Sequence, residues 1–292
     1  MKTIVCLALL AAGQAGLCLP NRTPTVREGS SWPVREEETL HKTLTLSGEP
    51  MRLIADNLDG YVHVTATNGS QVHVTAHKTI RAETDSDLRE AKDEVKLDMT
   101  EKPGTVTIYY DAPWRCDGGR RGCSGEPRRF YTVTYDIDIE APRQARLVVS
   151  TINHGDIQID GSSGDFDVSN INGPIRMTGI AGSGDAHTIN GPVSIHFAKN
   201  PAGASSFKTI NGPLDLYFRP GFSADMRFKT FNGEIYSDFD VTPEVIPAGA
   251  AEHRDGKFVY RSRGPKAARV GHGGPELNFE TLNGSIRLHR EQ

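Results

Sequence analysis

Apolar and polar positions alternate with a period of two along most of this chain, as they do in strands with one covered face. The alternation is strict at 131–140, where Tyr131, Val133, Tyr135, Ile137 and Ile139 share one parity. Val193, Ile195 and Phe197 repeat it, as do Leu214, Leu216 and Phe218. It breaks wherever Gly, Pro, Asn and Ser cluster, so the pattern predicts many short strands joined by tight corners. Further strands are expected at 61–66, 72–79, 95–99 and 105–110, the last two joined by the turn Glu101-Lys102-Pro103-Gly104. One helix is expected, at 85–94, capped by Asp85 or Ser86 and acidic in its first turn.

The corners repeat a phrase. It reads Asn-Ile-Asn-Gly-Pro-Ile at 170–175, Thr-Ile-Asn-Gly-Pro-Val at 188–193 and Thr-Ile-Asn-Gly-Pro-Leu at 209–214. It returns as Thr-Phe-Asn-Gly-Glu-Ile at 230–235 and Thr-Leu-Asn-Gly-Ser-Ile at 281–286, with looser copies at 56–60 and 151–157, the latter holding the extra His154. Successive Asn residues from 172 lie 18, 21, 21 and 51 apart. A period near twenty predicts stacked coils. Asn-Gly between apolar residues is usually a hairpin turn, but Pro174, Pro192 and Pro213 have no N–H to donate across one. A corner fits better, with a change of parity between Thr and the apolar residue after it. Phe231 and Ile235, or Leu282, Ile286 and Leu288, then point inward together. The structural corners are Asn172-Gly173, Asn190-Gly191, Asn211-Gly212, Asn232-Gly233 and Asn283-Gly284. Stacking brings their amides into register, where they form a hydrogen-bonded ladder.

The expected fold is all-β: a β-solenoid or β-roll-like stack of short coils with one short helix in the N-terminal half. The alternative is an antiparallel β-sandwich of bent strands. Residues 1–18 read as a signal peptide, since Lys2 precedes the apolar run 4–12 and small residues follow. Cleavage after Ala15 or Cys18 both fit. Residues 19–39 form a flexible lead, 40–145 an N-terminal β half, and 146–292 a repeat half with an insertion at 240–275 closed by the last coil. No second long apolar run follows, so the mature chain is expected to be exported without a transmembrane segment. A net charge of −4 gives no basis for a nucleic-acid partner.

Candidate chemistry is sparse. With Asn68-Gly69-Ser70 as a loop, strands 61–66 and 72–79 form a hairpin that sets Val64 against Val74 and Val62 against Ala76. That register places His63 diagonal to His73 and His77 on the outer face, where three imidazoles suggest a metal. No carboxylate or Cys completes the set by spacing, so the face reads as solvated and no metal is assigned. Gly182-Ser183-Gly184-Asp185 lacks the nine-residue spacing of calcium-binding repeats. Asp156, Asp165, Asp167 and Asp185 are the carboxylates an enzyme acting on polysaccharide would use, and exposed corner residues are the plainer reading. The loop 114–129 holds Cys116 and Cys123, expected to form a disulfide after export. It also gathers Trp114, Arg115, Arg120, Arg121, Arg128 and Arg129, a set suited to stacking on a sugar and forking onto an anion.

The export signal, the acidic lead at Glu36–Glu38, the serial Asn-Gly coils and Gly273-Gly274-Pro275-Glu276 before the last coil resemble a family of bacterial adhesin-like β-solenoid domains. The resemblance covers about 37–288. It implies an exported, non-enzymatic protein, binding or structural at the cell envelope, with no cofactor. Ligands of the matching chemistry are an anionic polysaccharide or another envelope polymer. The alternatives are a polysaccharide-active β-helix enzyme and a passive envelope scaffold with no ligand.

Overall fold

The computed structural model describes residues 32–115, 129–244, 252–254, 257–259 and 266–291. Strands β1 (Val34–Thr45), β2 (Arg52–Asp56), β3 (Val62–Thr67) and β4 (Gln71–Ala82) precede the helix α1 (Asp85–Glu94). β5 (Lys96–Lys102), β6 (Thr105–Asp111) and β7 (Tyr131–Pro142) complete the N-terminal half. Shorter strands follow: β8 (Arg146–Thr151), β9 (Ile157–Asp160), β10 (Phe166–Asn170), β11 (Ile175–Ile180), β12 (Gly184–Asn190), β13 (Val193–Phe197), β14 (Ser205–Asn211) and β15 (Leu214–Phe218). The last are β16 (Ala224–Asn232), β17 (Ile235–Ser237), β18 (Val241–Glu244), β19 (Glu252–Arg254), β20 (Lys257–Val259), β21 (Lys266–Val270), β22 (Glu276–Asn283) and β23 (Ile286–Arg290). Among the described residues α1 is the one helix, and it is neither long nor apolar enough to cross a membrane.

Two large mixed sheets result. The ten-stranded sheet runs β1-β4-β7-β3-β9-β11-β13-β15-β23-β17, and the eleven-stranded sheet runs β18-β21-β16-β22-β14-β12-β10-β8-β2-β6-β5. From β8 to β17 the chain changes sheet at every corner, so β8, β10, β12, β14 and β16 lie in one sheet and β9, β11, β13, β15 and β17 in the other. Neighbouring coils pair in parallel and in register: Val193 faces Leu214 as Ile195 faces Leu216, and Phe207 faces Phe279. Residues of one parity in both sheets are buried against each other. Tyr110 of β6 meets Tyr135 of β7 edge-on at 5.4 Å, and Phe197 of β13 meets Phe207 of β14 at 6.2 Å. Burying a side chain of this size contributes about 2–3 kcal/mol, which makes these rows the main source of cohesion between the sheets.

Several local expectations are met and several are not. α1 occupies 85–94, but Thr84 is its cap, in a reciprocal box with Asp87. β5 and β6 form the expected hairpin. β1 starts at Val34 and pairs with β4 along its whole length, so residues 34–39 belong to a sheet rather than to a flexible lead. β3 and β4 are not a hairpin: β7 lies between them, parallel to β3 and antiparallel to β4. The register survives this insertion. Val64 and Val74 both face Ile139, and Val62 and Ala76 both face Ile137. A chain with the correct alternation fits a third strand into the pair without turning any valine outward. The last coil does not close the array. β22 runs between β14 and β16, and β23 between β15 and β17. The long segment after β17 lets the chain return and fill that gap.

Candidate functional site

Each residue of the repeated phrase meets the coil beside it. The Thr side chain points inward, and its hydroxyl donates to the glycine carbonyl of the neighbouring corner: Thr188 to Gly173 at 2.9 Å, Thr209 to Gly191 at 2.9 Å and Thr281 to Gly212 at 3.1 Å. The Asn amides form one continuous chain of bonds. Asn172 donates to Asn153 at 3.0 Å, Asn190 to Asn172 at 2.9 Å and Asn211 to Asn190 at 2.8 Å. Asn283 then donates to Asn211 and Asn232 to Asn283, both at 2.8 Å. Glycine is required by proximity. A Cβ on Gly212 would lie 2.1 Å from the carbonyl oxygen of Gly191, and on Gly284 it would lie 1.9 Å from that of Gly212. Gly173, Gly191 and Gly233 are equally crowded by a neighbouring glycine backbone.

The apolar residue between Thr and Asn departs from the sequence reading. Alternation continues unbroken through the strand end, as in β14: Phe207 in, Lys208 out, Thr209 in, Ile210 out. The change of parity falls after that residue, at Asn-Gly-Pro. Ile189, Ile210, Leu282 and Phe231 are therefore exposed, not core residues. The parallel register sets them side by side across β12, β14, β22 and β16. They line a groove of about 550 Å³ on the outer face of the eleven-stranded sheet, together with His187, Lys208, Glu280 and Lys229. Lys229 is ion-paired to Glu280. The unbroken alternation in β12 and β14 was the signal for this row; the expectation that Ile and Leu point inward overrode it.

A second, polar groove of about 480 Å³ lies on the same sheet near the start of β8, β10, β12 and β14. Arg146, Asp165, Asp167, Ser183 and Asp185 line it, with Ala202-Gly203-Ala204. Asp167 and Asp185 are cross-strand neighbours, and Asp165 accepts from the Ser183 N–H at 3.2 Å. Asp156, the fourth candidate carboxylate, precedes β9 of the other sheet and is held by Arg176 at 3.0 Å and His63 at 3.3 Å. Asp165, Asp167 and Asp185 stand exposed.

The three histidines are not brought together. β7 separates His63 from β4, so His63 lies opposite Asp138, while His73 faces Glu140 and His77 faces Asp136. His73 and His77 hydrogen-bond instead to Thr43 and Thr39 of β1. Among the described residues no group of His, Cys, Asp and Glu has metal-binding geometry.

Of the loop residues, Trp114, Arg115 and Arg129 are described, whereas Cys116, Arg120, Arg121, Cys123 and Arg128 lie outside the described residues. The Arg129 guanidinium sits over the Trp114 ring at 3.5 Å. Arg115 is committed inward: it bonds Asp56 at 2.7 Å and the Tyr110 carbonyl at 2.9 Å, and covers the Tyr109 ring.

No family model matches the chain, and no curated protein matches its sequence. Among solved structures, a candidate cell adhesion protein from Clostridium sporogenes is similar over 88% of this chain and 100% of its own, at 9% identity and a TM-score of 0.45. A candidate adhesin from Bacteroides fragilis is similar over 87% of this chain and 97% of its own, at 10% identity and a TM-score of 0.29. A candidate lipid-binding protein from Parabacteroides distasonis covers the same shares, at 11% identity and a TM-score of 0.22. Likeness at this level assigns no function to the chain.

Proposed function

We propose that the protein is an exported, non-enzymatic binding protein of the cell envelope, whose repeat half is a β-solenoid that displays a rigid, periodic surface. The asparagine ladder carries this reading. The most repeated polar residues of the chain bond to one another from Asn153 to Asn232, so they hold coils in register instead of facing a substrate. The separation of Asp156 from Asp165, Asp167 and Asp185 onto different sheets supports the non-enzymatic assignment. The loop at 114–129 belongs to the same reading, with a Cys116–Cys123 tether and with Arg120, Arg121 and Arg128 facing an anionic envelope polymer.

A glycan and envelope-polymer binding array at two salt concentrations tests it. Retention of at least one polymer, weakened by salt, is expected. A glycan-degradation screen beside the array decides the enzymatic alternative: degradation that disappears in Asp185→Ala would overturn the assignment. Retention of nothing at low salt would leave a passive scaffold.

A further inference from the structure

We infer that the groove over Ile189, Ile210, Leu282 and Phe231 is the seat of an extended, negatively charged polysaccharide lying across the strands. This rests on the reading of the protein as an envelope binder and gives that reading a ligand class.

The sequence pattern places an apolar residue outward at the same point of four adjacent strands. Ile189 is 37% exposed, Ile210 43%, Leu282 47% and Phe231 58%. Parallel strands stand about 4.8 Å apart, so the row offers one apolar contact per strand at a step close to the length of one sugar in an extended 1,4-linked chain. The apolar C–H face of a pyranose ring matches such a contact. Beside this row runs the exposed amide row of Asn190, Asn211, Asn283 and Asn232. Along the other side stand His187, Lys208, Glu280 and Lys229, in cross-strand register. Glu280 lies between Lys208 and Lys229 and pairs with Lys229, which leaves Lys208 as the cation of this row that forms no ion pair among the described residues. A carboxylate or sulfate on the sugar would meet that side.

The test separates this occupant from a second copy of the chain and from a bilayer.

The test is affinity electrophoresis of the exported chain in gels holding polygalacturonate or neutral hydroxyethyl cellulose. Wild type should be retarded by polygalacturonate. The double variant Ile210→Ser, Leu282→Ser should lose about tenfold in affinity, and Lys208→Ala should lower the salt dependence, both with unchanged melting temperature. All of these side chains are exposed, so the variants are expected to fold. If the double variant binds polygalacturonate as wild type does, the groove is not the seat, while envelope binding stands and Arg120→Ala, Arg121→Ala should then weaken it. If wild type is retained by no polymer, here or in the array, the groove and the envelope-binder reading both fall. Sedimentation with phosphatidylcholine–phosphatidylglycerol vesicles, or dimerisation in ultracentrifugation, that is abolished by the double variant would reassign the groove to lipid or to self-association.

Discussion

The two halves of the molecule solve one problem by different means. Both must satisfy backbone groups where the chain leaves one sheet for the other. In the repeat half every corner leans on the next: Thr, Asn and Gly each bond to, or make room for, the coil beside them. The N-terminal half has one buried residue for the same task. Asn57 stands where the repeats have Thr, and its amide is within bonding distance of the carbonyls of Asp59 at 3.2 Å, Gly60 at 3.1 Å and Tyr135 at 2.8 Å. Repetition spreads the load over many bonds, the exposed asparagine ladder and the inward threonine hydroxyls together; at the Asn57 corner it is concentrated in one buried amide. A buried donor without its partner is costlier than an exposed one, so the halves should fail differently.

The largest effect should come from crowding a repeat corner. Gly212→Val places a Cβ against the Gly191 carbonyl and should cost about 3 kcal/mol, measured by denaturant unfolding. Gly69→Ala, at a loop with open space but φ of +115°, should cost about 1 kcal/mol. Equal losses would mean that conformation, not proximity, rules the repeat corners.

Next comes the contrast of the two amides. Asn57→Ala orphans buried carbonyls and should cost about 2–3 kcal/mol. Asn211→Ala removes two ladder bonds that water replaces, at about 1 kcal/mol. A reversed order of melting temperatures would show that the ladder, not the buried anchor, is the stronger device.

Alkali should separate the halves further. Burial raises the phenols of Tyr110, Tyr131 and Tyr135 in the N-terminal half, and at Tyr131 the hydrogen bond to Glu94 adds to it. Tyr61 is pushed up to about 12, by burial first and then by its bond to Asp138. For an acid whose folded pKa lies above its unfolded value, the protonated form is favoured in the fold. The stability is complete below the unfolded value and is lost as pH rises from there toward the folded one. Tyr110 and Tyr135, the deeply buried pair, should each contribute a loss of roughly 1 kcal/mol over the first pH unit above about 10, and the more solvent-screened Tyr61 and Tyr131 less. Tyr110→Phe should flatten the alkaline limb of stability against pH; an unchanged limb would place its cause elsewhere.

The smallest effect is expected for Arg227→Ala. Its pair with Glu276, 3.0 Å long, crosses β16 and β22 on the open face, and both side chains are about half exposed. The loss should stay under about 0.5 kcal/mol. A larger loss would show that surface pairs, and not corners alone, hold the repeat half together.

The candidate site was half legible. Five copies of Asn-Gly announced stacked corners, and the ladder follows from their register. The apolar row beside it was misread because an isolated Ile-Asn-Gly says nothing of which side of a bend its Ile occupies. Alternation through Lys208-Thr209-Ile210 does say so, once Thr209 is known to point inward.

What the sequence by itself determined was local: the period-two strands, the helix at 85–94, the β5–β6 hairpin and the valine register of β3 and β4. These depend on neighbours a few residues apart, whose alternation and turn chemistry are written in the chain. Only the tertiary structure decided strand order. β7 slots between β3 and β4, and the last coil slots between two earlier ones. A strand with one apolar face and a matching register fits beside several others, and the choice among them rests on how completely both sheets cover the shared core.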